Sequence, residues 1–115
     1  MSVAETAEFL KCAKPLMSDS GRAELVAFVG ANPEAGEIIP ETGGVRKIRW
    51  ALGGVGKRGG ARVIYYYHNE HLPVFLLSAY AKNRKVNLSK AERNAMKRLV
   101  PTLVAGYPNK GIGTI

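Results

Sequence analysis

Basic side chains recur at two-residue spacing in one segment of the chain and open the next one. Lys47 and Arg49 lie two residues apart in the segment VRKIRW, and Arg62 begins the following apolar segment. Residues two apart in a strand project from one face, and neighbouring strands lie about 5 Å apart. Side chains from two such strands can therefore surround one phosphate. Arginine suits this role because its planar fork binds phosphate bidentately and keeps its charge.

Further cations flank these segments in the sequence. Lys57 and Arg58 lie within the glycine-rich stretch GGVGKRGG, and Lys82, Arg84 and Lys85 follow a third apolar segment. Glycines let backbone N–H groups approach a nucleic acid closely. The alternative for Lys57 and Arg58 is a flexible hairpin whose side chains are simply solvated.

The same glycine-rich stretch does not fit a nucleotide-binding loop. Residues 54–59 have the spacing G-x-G-x-x-G, but that fingerprint requires a helix after it. The β-branched and aromatic residues at 61–67 predict a strand instead. A Walker loop is excluded as well, because Arg58 follows Lys57 where serine or threonine is required.

The distribution of charge predicts a polyanionic partner. The chain has 115 residues, 17 Lys and Arg against 9 Asp and Glu, and a formal net charge of +8. Residues 1–41 hold three cations and seven acids, a net −4, whereas residues 42–115 hold fourteen cations and two acids, a net +12. Such a field attracts nucleic acid. The alternative is a basic surface that only maintains solubility.

Three consecutive tyrosines, Tyr65, Tyr66 and Tyr67, offer rings for base stacking. In a strand Tyr66 shares the face of Arg62, so it is the expected functional ring. Tyr65 and Tyr67 point to the other face and are expected in the core.

Histidine, cysteine and metal-dependent chemistry have weaker support in the sequence. His68 and His71 lie in a predicted hairpin turn, where histidines are usually exposed, and Cys12 is the only cysteine. With two acids beyond Glu41, magnesium-dependent hydrolysis is not favoured. We expect neither metal nor cofactor. A single cysteine fits a reducing cytoplasm, and the sequence predicts neither a signal peptide nor a membrane helix.

The chain is expected to form one domain, 1–115. Residues 1–42 are predicted to be mainly helical, 43–80 to form a sheet, 81–105 to form a basic loop and a C-terminal helix, and 106–115 to form an irregular tail. The first helix is predicted at Ala4–Met17, with an optional short strand at Ser2–Ala4. Asp19 and Ser20 are the candidate N-caps of a second helix that ends near Val29. A loop is predicted from Pro33 to Gly44.

Three strands are predicted. The first runs from Val45 to Leu52, the second follows the glycine-rich turn, and the third begins near Pro73 and is expected to be central and covered. Ser89-x-x-Glu92 is a capping box that opens the last helix, and Pro101 should end or kink it. The inner stripe of this helix is predicted to be Ala91, Ala95, Met96, Leu99 and Val100.

Residues 43–99 resemble the RelE superfamily of bacterial toxins, in particular its HigB branch. The most specific matches are G-x-R-K-I-R, then GKRGG-x-R-V-I-Y-Y, then the third strand followed by x-K-N. The resemblance implies a compact α+β fold in which two N-terminal helices pack on a small, mainly antiparallel sheet, with a further C-terminal helix.

The resemblance also implies an activity. Such toxins enter the ribosomal A site and cut translated messenger RNA by attack of the 2′-hydroxyl on the adjacent phosphate, without metal or cofactor. By motif, Arg62 would hold the scissile phosphate, with Lys57, Lys82 and Arg84 as further catalytic residues. The implied RNA-binding residues are Lys47, Arg49, Arg58, Tyr66 and Lys85.

One departure concerns proton transfer. Many relatives carry a tyrosine shortly after the last cations, and here Val86, Asn87 and Leu88 follow Lys85 instead. Lys57, Lys82 and Tyr66 are the sequence candidates for moving protons.

The implied partners are a cognate antitoxin, expected to be a DNA-binding HigA-like protein, the 70S ribosome and messenger RNA. Two alternatives stay open at this point. One is a ParE-like inhibitor of DNA gyrase with the same fold, and the other is an inactive module that binds antitoxin or RNA.

Overall fold

A computed structural model describes residues 1–52, 60–84 and 87–109, with side chains described up to residue 106. The elements in chain order are β1 (Val3–Glu5), α1 (Ala7–Ala13), α2 (Asp19–Ala31), β2 (Glu37–Ile38), β3 (Val45–Trp50), β4 (Ala61–Tyr66), β5 (Val74–Ala81) and α3 (Lys90–Asn109).

The described strands form one five-stranded sheet in the order β1-β5-β4-β3-β2. β1 runs parallel to β5, and every other pair is antiparallel. β5 has a strand on each side, and most of its residues are buried. The prediction of a central, covered third strand is confirmed.

The two N-terminal helices cover one face of the sheet. Phe9 of α1 and Leu25 and Val29 of α2 pack with Val63 and Tyr65 of β4, and all five side chains are fully buried. We call this the two-helix face. Burial of such side chains is the main stabilising contribution to a domain of this size.

α3 packs against the opposite face. Val100 of α3 lies in a buried cluster with Val45, Ile64 and Phe75, and Met96 packs against that cluster. We call this the α3 face. The α+β fold with two N-terminal helices, a mainly antiparallel sheet and a C-terminal helix is confirmed.

Side chains cap all three helices. The Thr6 hydroxyl accepts from the Phe9 N–H at 3.1 Å, and the Ser18 hydroxyl accepts from the Gly21 N–H at 3.1 Å. The N-cap of α2 is thus Ser18, so neither predicted candidate, Asp19 or Ser20, is the cap. The predicted capping box of α3 is confirmed: the backbone N–H of Ser89 donates to the Glu92 carboxylate at 2.8 Å.

The first helix is shorter than predicted. It occupies Ala7–Ala13, and residues 3–5 instead form β1, one residue later than the optional strand predicted at Ser2–Ala4. Pairing with β5 determines this, because the N–H of Val74 donates to the Ser2 carbonyl and the Thr6 hydroxyl donates to the Leu76 carbonyl. The short strand β2 was likewise predicted as loop.

α3 continues through Pro101 to Asn109, so the expected break at Pro101 and the irregular tail from residue 106 are both wrong over this range. An internal proline costs about 3 kcal/mol because it removes one helix hydrogen bond. Here Val100, Leu103 and Val104 pack on the sheet around the proline and offset that cost. The predicted inner stripe is right for Met96 and Val100 only; Ala91, Ala95 and Leu99 are exposed.

Candidate functional site

Three polar side chains lie in register across three strands. Arg49 of β3 pairs with Arg62 of β4, and Arg62 pairs with Tyr80 of β5. Directly opposed residues project from the same face, which here is the α3 face. Arg62 is 6% exposed and Tyr80 is 9% exposed, whereas Arg49 is exposed, so the row extends from the interior to the surface. We call it the Arg49–Arg62–Tyr80 row.

The two arginines of the row are like charges on facing positions. Such a pair is destabilising in an antiparallel sheet, and partial burial increases the cost of charge. An anion bound between two guanidinium groups would remove the repulsion and receive several charge-assisted hydrogen bonds. The row thus places two guanidinium groups and one phenol side by side on one face of the sheet.

Lys47 lies on the same face of β3 as Arg49, two residues earlier in the strand. Its ammonium group donates to the side-chain carbonyl of Asn87 at 3.3 Å. A hollow of about 280 Å³, which we call the cationic hollow, is lined by Ala35, Glu37, Lys47, Ile48, Arg49 and Arg62. The three cations predicted to converge on one sheet face therefore line one concave site.

Lys82 and Arg84 lie near the same end of the sheet. The backbone N–H of Lys82 donates to the Gly60 carbonyl at 3.1 Å, which ties the chain after β5 to the residue before β4. Lys82 is half-buried and Arg84 is exposed. Gly60 has φ +54°, and a Cβ there would overlap the Trp50 carbonyl oxygen, so this approach requires glycine.

Three of the predicted residues, Lys57, Arg58 and Lys85, lie outside the described residues. Their assignment continues to rest on the sequence resemblance.

Tyr66 is not exposed enough for the base stacking that the sequence led us to expect. It is on the predicted face but is 6% exposed, packed in the same apolar cluster as Val100. Its hydroxyl forms a 2.8 Å hydrogen bond with Nδ1 of His68, and desolvation by burial raises its pKa. Coverage by α3 leaves almost no ring surface for a base, so Tyr66 is a core residue of the α3 face.

The other tyrosines and the histidines follow expectation. Tyr65 is fully buried and Tyr67 is half-buried on the two-helix face, while His68 and His71 are exposed. Both histidines follow the end of β4, whereas Arg62 lies near its start, so neither histidine belongs to the row.

Tyr80 is a site residue that sequence reasoning missed. Between β4 and β5 the register shifts: Ile64 pairs with Ser78, but the next residue, Tyr65, pairs with Leu76. The extra residue, Leu77, forms a bulge and reverses the alternation of the strand. Simple alternation from Phe75 and Leu77 places Tyr80 on the two-helix face, whereas it lies on the α3 face beside Arg62.

The phenol of Tyr80 keeps its proton at neutral pH. Desolvation by burial raises its pKa, opposed by the Arg62 guanidinium, and the Glu92 carboxylate adds to the increase. A neutral phenol next to a guanidinium group can donate a hydrogen bond or a proton.

Glu37 is the second residue that the sequence did not indicate. It lies in β2, which was predicted as loop, and pairs with Lys47 across the β2–β3 ladder. It is exposed and lines the cationic hollow, so one carboxylate faces the cations. Within the described ranges, no group of three or more His, Cys, Asp or Glu side chains is placed to hold a metal ion.

A sheet with this topology and a cationic row on one face is the arrangement that the sequence resemblance implied. The model of a protein family described as the RelE toxin of RelE / RelB toxin-antitoxin system matches residues 1–110. The chain belongs to this RelE toxin family, and membership implies a cognate antitoxin as its partner. Over residues 1–52, 60–84 and 87–109, no helix has the length and apolarity needed to cross a membrane.

Proposed function

We propose that this toxin is an endoribonuclease that cuts translated messenger RNA in the ribosomal A site, without a metal ion. The Arg49–Arg62–Tyr80 row is the observation that carries the proposal. It combines two opposed guanidinium groups with a neutral phenol on one face of a rigid sheet. A toxin that only bound a protein would gain little from a buried arginine that faces another arginine.

The proposed reaction is attack of a ribose 2′-oxygen on the adjacent phosphorus. A 2′-O–P bond forms, the P–O5′ bond breaks, and the products carry a 2′,3′-cyclic phosphate and a 5′-hydroxyl. Arg62, Arg49 and Lys47 stabilise the charge that develops on the phosphate oxygens. Each such preorganised donor contributes on the order of 10²–10³ in rate.

Proton transfer is assigned to Glu37, which lines the cationic hollow, and to Tyr80, which pairs with Arg62 in the row. Glu37 accepts the proton of the 2′-hydroxyl, since it is the carboxylate of the cationic hollow. Tyr80 donates its proton to the departing 5′-oxygen, since burial keeps it protonated. This pair replaces the sequence candidates Lys57 and Tyr66, while Lys82 and Arg84 add positive charge along the RNA.

The remaining parts of the proposal rest on the resemblance to the HigB branch. Lys57, Arg58 and Lys85 are assigned contacts with RNA, the antitoxin is assigned as a DNA-binding HigA-like protein, and the place of action is the cytoplasm. The net charge of +8 supports binding to ribosomal and messenger RNA.

The test is a reconstituted translation reaction in which message ends are mapped by primer extension. Wild-type protein should cut messages only on translating ribosomes. Arg62→Ala should reduce cleavage about 10²–10³-fold, because the phosphate loses its bidentate donor. Arg98→Ala, which removes an exposed arginine of α3, is the matched control and should cut normally.

Circular dichroism of each variant checks that it is folded. If folded wild-type protein leaves translated messages intact, the nuclease proposal is wrong. Inhibition of DNA gyrase is then the next assay for this fold.

A further inference from the structure

A second hollow adjoins the cationic hollow and shares Lys47 with it. Its volume is about 320 Å³. Its apolar lining is Ile39, Pro40, Leu88 and the buried Tyr80, and its polar groups come from Glu41, Asn87, Arg93 and the shared Lys47. We call it the apolar hollow. It combines a hydrophobic lining with a few polar groups, as small-ligand sites do.

The polar side of this hollow is held in place by its surroundings. The fully buried Thr42 hydroxyl donates to the Ile39 carbonyl at 2.6 Å and accepts from the Val45 N–H at 3.0 Å, which fixes the turn. Arg93 donates to the Leu88 carbonyl at 2.9 Å, and its Nε lies 3.8 Å from the Glu41 carboxylate.

Glu41 has an unusual backbone conformation. Its φ is +65°, and it is the only non-glycine residue with positive φ in the described ranges. A side chain in this left-handed region is strained, and glycine avoids that strain. A carboxylate is thus present at the hollow despite a backbone that favours glycine.

We propose that the apolar hollow binds the base of a nucleotide whose phosphate lies in the cationic hollow, and that it selects guanine. This inference rests on the proposed function and names a specificity site for it. Because the two hollows meet at Lys47, a nucleotide with its phosphate beside Arg49 and Arg62 has its base next to Tyr80 and Leu88.

The polar groups select guanine for a chemical reason. A carboxylate accepts hydrogen bonds only, and guanine presents two adjacent donors, N1–H and the N2 amino group, on its Watson–Crick edge. Adenine and cytosine each present one amino group beside an acceptor, and uracil presents one N–H between two carbonyls. Asn87 accepts from Lys47 with its carbonyl, which leaves its amide N–H groups to donate to a base acceptor.

Binding can be measured without any cleavage. In ¹⁵N-labelled full-length protein, guanosine 5′-monophosphate should shift the amide resonances of Glu41, Asn87 and Leu88. Ribose 5-phosphate should shift only resonances around Lys47, Arg49 and Arg62. Equal shifts around Glu41 and Leu88 from both compounds, or equal affinity for all four nucleoside monophosphates, would overturn the proposed selectivity.

Specificity is tested by mapping cut sites in the translation reaction. Glu41→Gln replaces one acceptor with a donor and should reduce the preference for guanine over adenine at the cut by roughly tenfold, the usual effect of losing a bidentate base contact. Glu70→Gln removes an exposed carboxylate of the β4–β5 turn and should leave the preference unchanged.

The two proposals fail in different ways. If wild-type protein cuts messages but Glu41→Gln has the wild-type base preference, the guanine site is wrong and the nuclease stands. If guanosine 5′-monophosphate binds at the apolar hollow but no message is cut, the site stands and the nuclease is wrong.

Discussion

The two faces of the same sheet differ in how completely they are closed. On the two-helix face, Tyr65 is fully buried and its hydroxyl is satisfied in both directions: the Gly36 N–H donates to it at 2.8 Å, and it donates to the Pro33 carbonyl at 2.9 Å. On the α3 face, Tyr66 is buried at one end of β4, while Arg62 at the other end lines a hollow.

This difference arises from alternation along single strands. Val63 and Tyr65 of β4 pack in the closed core of the two-helix face. Arg62, near the start of the same strand, lines the cationic hollow. The core fixes the backbone of β3, β4 and β5, and that backbone holds the side chains that we propose bind phosphate. The two-helix face should therefore determine stability, and the open end of the α3 face should determine activity.

The largest expected effect is on the closed face. Phe9→Ala should lower the free energy of unfolding by about 3–5 kcal/mol, because it leaves a cavity in a fully buried site. Urea denaturation measures this loss. Leu10→Ala, at an exposed neighbour, is the control and should cost far less. The assignment of stability to this face would be wrong if the two variants were equally stable.

On the open face, Tyr80→Phe should reduce message cleavage about 10²-fold, the usual effect of losing a general acid. Urea denaturation should show a smaller change than for Phe9→Ala, because the ring and its packing remain. Primer extension at matched concentrations of folded protein measures the rate. Cleavage at the wild-type rate would remove Tyr80 from the mechanism.

Tyr65→Phe is the matched change on the closed face. It should lower the free energy of unfolding by about 1–3 kcal/mol, because it leaves the Gly36 N–H and the Pro33 carbonyl buried without their partner. Cleavage by the folded protein should be unchanged. A loss of cleavage as large as that of Tyr80→Phe would show that the two faces are not separable.

The smallest expected effect is at alkaline pH. Burial raises the pKa of Tyr65, Tyr66 and Tyr80 above the ordinary value of 10.0. The folded state holds these protons more tightly than the unfolded chain does. The contribution of the three phenols to the free energy of unfolding is therefore fully present below about pH 10, and it is lost as pH rises through their folded-state pKa. Urea denaturation from about pH 8 upward should show this decline, with a shallower slope in Tyr65→Phe.

Much of this organisation was predictable from local sequence signals. The alternation of β3 placed Lys47 and Arg49 together, the phase of β4 placed Arg62 on their face, and Ser89-x-x-Glu92 located the start of α3. These signals are reliable because a strand or helix period fixes which residues share a face. The family was identified from the same segments.

The two candidate site residues that the sequence did not indicate are positioned by pairing between distant segments. Tyr80 reaches the α3 face through a bulge after Leu77, and Glu37 reaches the cations through a two-residue strand that exists only because it pairs with β3. Tyr66 was misassigned for a similar reason, since α3 covers its end of the sheet. Neither a register shift nor helix coverage is encoded within a few neighbouring residues.

The pairing of β1 with β5 has a consequence for the order in which the protein assembles during synthesis. Thr6 caps α1 and also donates to the Leu76 carbonyl, seventy residues later in the chain. The first strand thus pairs with the last of the five described strands, and such non-local pairing slows folding. Tyr80 completes the row from the same late strand. A chain synthesised only as far as β4 therefore has neither the partner of its first strand nor the third residue of the row, and the proposed site forms only after β5 has been made.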